Sequence, residues 1–242
     1  MNLTLALTLL FAINAHAIKG VALAVPSMSD LVSLRVVTYL KWSETGGTPM
    51  VYGVPKTCYP LMIVSNEPNA IAPYGDPKTP LQYLALMQSI RSKCPNSTLV
   101  VGNVSVENWS KNGGWNGTGY EWLVEFLLVT NDKNIIVSAH CYWNTAAWCI
   151  NEFSRIRNLA IIKLGNGNNS FWTTEFGITN GDPIEMKELL GWLDRKSGAY
   201  FVFTNTQPSA CNEQKQGWEI TQGVNLVNFD GSLNPMGQVF SD

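Results

Sequence analysis

The stretch YPLMIVSNEPN, Tyr59–Asn69, is the clearest strand signal in the chain, and the rest of the architecture can be built outward from it. Its apolar run Leu61–Val64 ends abruptly in turn-forming residues, which is typical of a short buried strand. Pro68 has no N–H to donate, so sheet pairing stops there. Glu67 is therefore predicted at the C-terminal end of a buried strand. Burying a carboxylate without partners is energetically unfavourable, so its position there suggests a function.

After this strand, helical and strand patterns alternate along the chain. Thr79-Pro80 predicts a helix start, because threonine caps a helix and proline suits its first turn. The strands predicted along the whole chain are Gly20–Val25, Arg35–Trp42, Met50–Val54, Leu61–Val64, Thr98–Ser105, Asn134–Trp143, Ser170–Thr179 and Ala199–Thr206. The helices predicted between the later strands cover about 81–94, 120–131, 147–164 and 183–198. Eight strands alternating with helices predict a parallel (β/α)8 TIM barrel of the α/β class.

Two features qualify this fold prediction. The runner-up is an open, doubly wound sheet, but the phosphate-binding patterns GxGxxG and GxxxxGK[ST] are absent from the sequence. The links between the second, third and fourth strands have only about 5–8 residues, whereas a parallel crossover usually needs about a dozen or more. We therefore expect a compact barrel with shortened N-terminal β/α units, or else the third strand is wrongly assigned.

The N-terminus and the cysteines predict an exported protein. Leu3–Ile13 is an apolar run followed by Ala15-His16-Ala17, so residues 1–17 are read as a signal peptide and residues 18–242 as a single catalytic domain. The mature protein is then expected to be secreted and to have no membrane segment. Of the five cysteines, some should pair in an oxidising compartment and one is left over. Cys141–Cys149 is the pair we favour.

Composition excludes several function classes. The net charge of −2 and the scattered basic residues leave no stripe for nucleic acid, and a monomer is expected. The mature chain contains one histidine, His140, which excludes multi-histidine metal sites, so neither a metal nor another cofactor is predicted. The chain is rich in tryptophan and tyrosine, with nine and eight residues. Such rings pack cores but also line sugar-binding clefts.

Two of the 18 acidic residues stand out because each follows an apolar strand run. Glu67 and Glu175 are predicted at strand ends, which is where active sites of TIM barrels assemble. Glu44 and Glu107 are weaker candidates that lie beyond the second and fifth strands. Two carboxyl groups facing each other across a barrel mouth are what glycoside hydrolysis requires. The alternative is that each carboxylate forms a buried ion pair, although neither strand carries a basic residue close by.

Three short motifs resemble those of the clan A glycoside hydrolases, the retaining (β/α)8 superfamily. Asn66-Glu67-Pro68 on the fourth strand resembles the acid/base motif, and Thr174-Glu175-Phe176-Gly177 on the seventh resembles the nucleophile motif. His140-Cys141-Tyr142 on the sixth strand looks like the H-x-Y motif of that clan, and Leu226–Phe240 is similar to its closing strand-turn-helix segment. All of these occur in the order that the clan shows.

This resemblance implies roles for individual residues. Glu67 would be the general acid/base and Glu175 the nucleophile. Asn66 would bond the sugar 2-hydroxyl, and Tyr142 would donate to Glu175. His140 would line the same wall, or else is simply a satisfied core residue.

The chain also departs from the clan pattern. Lys41 stands near the place of the usual Arg on the second strand, and the usual tryptophan on the eighth strand is replaced in the region of Asn205. Candidate substrate-binding rings are Trp42, Trp143 and Trp172.

The sequence thus predicts a retaining hydrolase that cleaves a β-linked polysaccharide such as glucan, mannan or xylan, with an endo mode suggested by the short N-terminal loops. The alternatives are a non-catalytic carbohydrate-binding barrel at a cell surface, and an inverting or non-sugar hydrolase.

Overall fold

The computed structural model describes residues 17–23, 28–36, 38–41, 48–72, 75–108, 115–204, 225–228 and 232–242. Within them, eight parallel strands close into one barrel in chain order, with the first strand paired to the last. The strands are β1 Ile18–Leu23, β2 Tyr39–Lys41, β3 Thr48–Val51, β4 Leu61–Val64, β5 Thr98–Ser105, β6 Ile135–Trp143, β7 Phe171–Ile178 and β8 Ala199–Thr204. The predicted (β/α)8 TIM barrel is confirmed.

Helices follow most of the later strands and pack against the outside of the barrel. They are α1 Met28–Ser33, α2 Pro80–Lys93, α3 Gly119–Val129, α4 Ala146–Leu164, α5 Pro183–Lys196 and α6 Pro235–Ser241, with a short 3-10 turn at Gly167–Ser170. Helix α2 begins as predicted, because Thr79 and Gln82 form a capping box. None of the helices in the described ranges is long and apolar enough to cross a membrane.

The N-terminal strands are shorter than predicted. Strand β2 starts at Tyr39 rather than Arg35, because Arg35 adopts a left-handed backbone (φ 54°) and helps to end α1. The N–H of Val36 donates to Leu31 O at 3.1 Å across that turn. Strand β3 is present but ends at Val51, and residues 52–60 reach β4 without a helix or strand. The shortened β/α unit between β3 and β4 is therefore confirmed.

Glu185 stands three residues after Asp182, a spacing that predicts a capping box, but it does not form one. Asp182 caps α5 by accepting from the N–H of Ile184 at 2.8 Å. The carboxylate of Glu185 instead accepts from the N–H of Ala146 at 2.6 Å, at the first residue of α4. A carboxylate there satisfies an otherwise unpaired helix donor, so this residue joins two neighbouring helices.

Side chains alternate between two apolar cores. One lies between the sheet and the helices. The other fills the barrel interior and contains Ala22, Leu40, Met50, Ile63, Val100, Ile136, Trp172, Ala199, Phe201 and Phe203. The interior is thus packed with side chains.

Two disulfides tie strands to helices. Cys141 bonds to Cys149, which joins β6 to α4 as predicted. Cys58 bonds to Cys94, which joins the segment before β4 to the end of α2. The fifth cysteine, Cys211, lies outside the described residues.

Candidate active site

Glu67 sits on a strained turn at the carboxyl end of β4. Its φ of 38° and the φ of 60° at Ser65 are both in the left-handed region, which non-glycine residues rarely occupy. The turn is held against β5, where the N–H of Glu67 donates to Asn103 O at 3.0 Å. Gly75 closes the turn, since a Cβ atom there would lie 2.2 Å from Glu67 O. Strain of this kind persists only when the surrounding structure fixes it, and it is common at functional sites.

The residues around Glu67 supply that fixation. Ser65 Oγ donates to the carboxylate of Asp76 at 2.6 Å, and the N–H of Asp76 donates to Asn66 O at 2.7 Å. Lys78 forms an ion pair with the same carboxylate. The side-chain amide of Asn69 bonds to the backbone of Ser105 in both directions, at 2.8 and 3.0 Å. These bonds fix the polar residues on either side of Glu67 in place. The side chain of Glu67 is then directed towards the barrel mouth.

Glu175 projects from β7 opposite His140 of β6. The β6–β7 register shifts by one residue just before this pair, which is a β-bulge and turns the β7 side chains toward the site. The hydroxyl of Tyr142 donates to Glu175 Oε2 at 2.9 Å, as the resemblance to the clan implied. Glu175 is 5 % exposed and Glu67 is 7 % exposed. Both carboxyl groups are therefore largely removed from water.

His140 lies between the two carboxyl groups. Its Nδ1 is 3.1 Å from Glu67 Oε1 and 3.7 Å from Glu175 Oε2. One oxygen of each carboxyl and this ring nitrogen all lie within 4.8 Å of one another. The structure thus brings together Glu67, Glu175, His140 and Tyr142 from three strands, and His140 contacts the site rather than being only a core residue.

Burial shifts the pKa of Glu67 and of three of its neighbours. Burial raises the pKa of Glu67 to about 8, so this carboxyl group holds its proton at neutral pH. Burial lowers the pKa of His140 and raises that of Tyr142 well above its usual range. The pKa of Glu107 is raised to about 7 by burial and then by the charge of Glu67. Glu67 therefore suits the role of a proton donor, and Tyr142 remains a hydrogen-bond donor.

The other predicted site residues differ in how close they lie to the two glutamates. Asn66 is half-buried beside Glu67. Trp143 is 40 % exposed at the end of β6, but its ring stacks on Trp148 of α4 at 4.6 Å. Trp172 is 3 % exposed and packs near Gly198 at the opposite end of the barrel. The structure therefore does not bring Trp172 to the site, because its position on β7 directs it into the packed interior.

Several predicted positions fall outside the part of the chain that can be described. They are Trp42, Glu44, Asn205 and the side chain of Lys41.

Two further residues near the site, Tyr52 and Asn103, were not predicted from the sequence. Tyr52 follows β3, is 44 % exposed, and has a pKa raised by burial and by the charge of Glu175, which places it close to the nucleophile candidate. Asn103 begins the glycosylation sequon Asn103-Val104-Ser105, yet its side chain is fully buried at a bulge in β5. A Gly-Asn pair inside a strand pattern is a signal for such a bulge.

The cluster also has the donor set of a metal site. Glu67, His140 and Glu175 each offer one ligand atom within 4.8 Å of the others. The same distance suits two carboxyl groups that act on one glycosidic bond, which in retaining enzymes stand about 5–5.5 Å apart. The raised pKa of Glu67, beside a Glu175 carboxyl group that accepts from Tyr142, favours acid/base chemistry as the interpretation of this cluster.

No family model and no curated protein matches the sequence. Solved structures do match along nearly the whole chain. A GH128 endo-β-1,3-glucanase from Sorangium cellulosum has a TM-score of 0.62 at 17% identity and covers 93% of this chain and 97% of its own. The corresponding enzyme of Lentinula edodes has a TM-score of 0.62 at 15% identity, covering 92% and 98%. The fold is that of the GH128 barrels.

A third GH128 structure adds a contrast. It is that of an oligosaccharide-binding protein of Cryptococcus neoformans, with a TM-score of 0.59 at 15% identity, covering 94% of this chain and 93% of its own. The predicted resemblance to barrel glycoside hydrolases of clan A is confirmed at the level of fold. At such low identity the likeness establishes the fold alone, so activity has to be argued from the site.

Proposed function

We propose that this protein is a retaining glycoside hydrolase that cleaves β-1,3-linked glucan. The observation that carries the proposal is the pair of buried carboxyl groups of Glu67 and Glu175. One has a pKa raised to about 8, the other accepts a hydrogen bond from Tyr142, and their oxygens lie within 4.8 Å. Different environments for two adjacent carboxyl groups assign one as the acid and the other as the nucleophile.

The first step breaks the glycosidic bond. Protonated Glu67 gives its proton to the glycosidic oxygen, while the ionised carboxylate of Glu175 attacks the anomeric carbon. The leaving sugar departs with that proton, and the other sugar stays bonded to Glu175 as a glycosyl ester. In the second step the Glu67 carboxylate takes a proton from water, whose oxygen attacks the anomeric carbon and releases Glu175.

The short separation supports retention over inversion. An inverting enzyme places a water molecule between its carboxylate and the sugar, which requires carboxyl groups about 6.5–9.5 Å apart. One oxygen of Glu67 lies within 4.8 Å of one oxygen of Glu175, which supports the closer spacing of a retaining pair. Two successive inversions at the anomeric carbon then return the original configuration.

The substrate class is supported by the solved structures of the same fold. The Sorangium cellulosum and Lentinula edodes proteins are endo-β-1,3-glucanases. A GH128 protein of Blastomyces gilchristii is a curdlan-specific exo-β-1,3-glucanase in complex with glucose, with a TM-score of 0.59 at 20% identity. We propose an endo mode, because the β3–β4 link of residues 52–60 is short and has no helix. Asn66 is proposed to bond the 2-hydroxyl of the sugar at the cleavage point.

Export as a monomer is part of the proposal. The two disulfides support the export, because such bonds form and persist in oxidising compartments. Secretion of the full chain, compared with a chain lacking residues 1–17, tests the predicted signal peptide. Retention of the full chain inside the producing cell would contradict it.

The deciding experiment measures hydrolysis and binding separately. The wild-type protein is incubated with soluble β-1,3-glucan, β-1,4-glucan, mannan and xylan, and the first product is examined by proton NMR for its anomeric configuration. A β-configured product from β-1,3-glucan alone supports the proposal. An α-configured product would refute retention, and cleavage of another polysaccharide in its place would refute the substrate.

Two variants test the residue roles, with one matched control. Glu67→Gln and Glu175→Ala should each abolish most turnover but still bind oligosaccharide in a calorimeter. Glu125→Gln, an exposed glutamate on α3, controls for the chemistry of the substitution and should turn over like wild type. Binding of β-1,3-glucan oligosaccharides without turnover in the wild type would instead identify an oligosaccharide-binding protein, like its Cryptococcus neoformans neighbour.

A further inference from the structure

A chain of buried hydrogen bonds runs behind the site and ends on Glu67. It begins at Asn103, whose Nδ2 lies 2.9 Å from Val64 O and 3.1 Å from Ser65 O. Carbonyl oxygens only accept, so the NH2 half of the amide must face them. The carbonyl half, Oδ1, then points the other way, towards Thr174.

The hydroxyl of Thr174 has one hydrogen, and Asn103 determines where it goes. Thr174 Oγ1 lies 3.0 Å from Asn103 Oδ1, which can only accept, so the hydroxyl hydrogen is donated there. The other two contacts of Oγ1 must then bring their own hydrogens. These are Ser138 Oγ at 2.6 Å and His140 Nε2 at 2.8 Å. His140 therefore carries a hydrogen on Nε2.

The tautomer of His140 determines what Nδ1 can do. The ring is fully buried, and burial lowers its pKa, so it is neutral at neutral pH and Nδ1 carries a lone pair. Glu67 Oε1 lies 3.1 Å from Nδ1. A contact between a lone pair and a carboxyl oxygen at this distance requires a hydrogen on the oxygen. Glu175 Oε2 is farther away, at 3.7 Å, and accepts from Tyr142 instead.

We propose that Asn103 and Thr174 are positioning residues that fix the hydrogen of His140 on Nε2, so that Nδ1 accepts from Glu67 and keeps this acid protonated. The proposal rests on the proposed hydrolase function only for its kinetic consequence. After the first step, the Glu67 carboxylate faces a nitrogen lone pair across 3.1 Å, which is unfavourable. That repulsion favours recovery of a proton from water, which is what the second step requires.

Both positioning residues stand at irregularities of the barrel. Asn103 has a left-handed backbone (φ 47°) at the bulge in β5, and Thr174 lies within the shifted register of β7. A regular strand would not direct Thr174 and Glu175 to the same side, because successive side chains alternate between faces. The two bulges thus bring the hydrogen-bonded side chains together, whereas regular alternation along the strands would direct them to opposite faces of the sheet.

Other titratable groups around Glu67 affect the same equilibrium. Among the described residues they are His140 and Tyr142 on β6, Glu175 on β7, Glu107 after β5, Tyr52 after β3 and Asp76 after β4. None of them donates to His140 Nε2. A substitution at Thr174 therefore changes the tautomer without removing a charge from the site.

The tautomer can be measured directly, because the chain has only two histidines. His16→Gln leaves His140 as the single histidine, and a nitrogen NMR spectrum of histidine-labelled protein then shows which ring nitrogen is protonated. We expect the hydrogen on Nε2 at neutral pH in the wild type. A hydrogen on Nδ1 in the wild type would overturn the proposal, whether or not the protein hydrolyses glucan.

Substitutions extend the test. In Thr174→Val, Nε2 loses its acceptor, so we expect the hydrogen to move to Nδ1, where it stabilises the Glu67 carboxylate. The alkaline limb of kcat/KM should then fall by about one pH unit. Thr174→Ser should return the hydrogen to Nε2 and the alkaline limb of kcat/KM to its wild-type position. Ser138→Ala should keep the hydrogen on Nε2, because Thr174 still accepts from His140.

Two outcomes separate positioning from a merely structural role. Loss of stability in Thr174→Val, with the Nε2 tautomer and the pH limb both unchanged, would contradict the proposal. If Thr174→Val does not fold, the wild-type spectrum and Thr174→Ser still decide it, since a serine variant with the hydrogen on Nδ1 contradicts the assignment. If no substrate is hydrolysed, the proposed function fails while the spectrum still tests the tautomer.

Discussion

Tyr142 and Glu175 form a hydrogen bond of 2.9 Å in which the phenol donates to a carboxylate that is 5 % exposed. A hydrogen bond to the charged form favours ionisation, whereas Glu67 faces a ring nitrogen that favours its protonated form. The two carboxyl groups lie within 4.8 Å yet have opposite partners. This difference, rather than the mere presence of two glutamates, is what supports the proposed double displacement.

Removing the phenol hydroxyl should weaken the nucleophile. Tyr142→Phe keeps the ring against Phe203, whose centroid lies 6.0 Å away, and removes only the donor. A hydrogen bond to a charged group contributes about 1.5–3 kcal/mol, so kcat/KM should fall roughly 10- to 100-fold. Tyr120→Phe, on α3 and away from the site, is the control. Equal kinetics in both variants would show that this bond does not assist Glu175.

Activity should depend on the protonation of Glu67. Its pKa is raised to about 8, and the acid works only when protonated, so kcat/KM should fall as the pH rises through about 8. The measurement is a pH profile of kcat/KM on β-1,3-glucan. A profile that declines above about pH 5, as for an ordinary carboxyl group, would contradict this assignment.

The same pKa shift predicts how stability changes with pH. The folded state keeps the Glu67 proton up to a pH of about 8, whereas the unfolded chain releases it near 4.5. Unfolding therefore becomes easier as the pH rises between these values, by up to about 1.4 kcal/mol per pH unit. Urea unfolding at several pH values measures the slope. Glu67→Gln should flatten it, and an unchanged slope would mean that Glu67 is ionised in the folded protein.

Much of the barrel could be predicted because each of its later strands has a clear local sequence pattern. Leu61–Val64 is an apolar run closed by turn residues, and the structure places β4 on those residues. Strand β2 could not be placed as well, because Val36 looks like a strand residue but closes the turn after α1. A run of β-branched residues does not reveal that its first members end a helix, since tertiary context overrides such propensities.

The charged residues of the candidate site could be predicted from the sequence, but the buried hydrogen bonds that position them could not. Glu67 and Glu175 follow from their position after apolar runs. The chain through Asn103 and Thr174 depends on two bulges, and each inserts one residue into a strand without changing its composition. Trp172 was misplaced for a related reason, because aromatic content alone does not tell which end of a strand faces the site.

The two disulfides should contribute unequally to stability. Cys58–Cys94 closes a separation of 36 residues and Cys141–Cys149 one of 8. Restricting the unfolded chain then contributes about 4 kcal/mol for the first and about 2.5 kcal/mol for the second. Paired serine variants, compared by urea unfolding, test this order. A larger loss on removing Cys141–Cys149 would show that this bond holds β6 in its native position beyond its effect on the unfolded chain.

The turn that carries Glu67 should tolerate no side chain at Gly75. A Cβ atom there would lie 2.2 Å from Glu67 O, so Gly75→Ala must displace the backbone of the acid itself. We expect a loss of about 1–3 kcal/mol in stability. We also expect a fall in kcat/KM of roughly 100-fold, since a displacement of about 1 Å at a reacting group has that effect. Gly53→Ala is the matched control, because a Cβ atom at that position would meet no other atom within 4 Å and the change should be nearly neutral. Wild-type kinetics in Gly75→Ala would show that the left-handed turn at Glu67 is not required for the acid to reach its substrate.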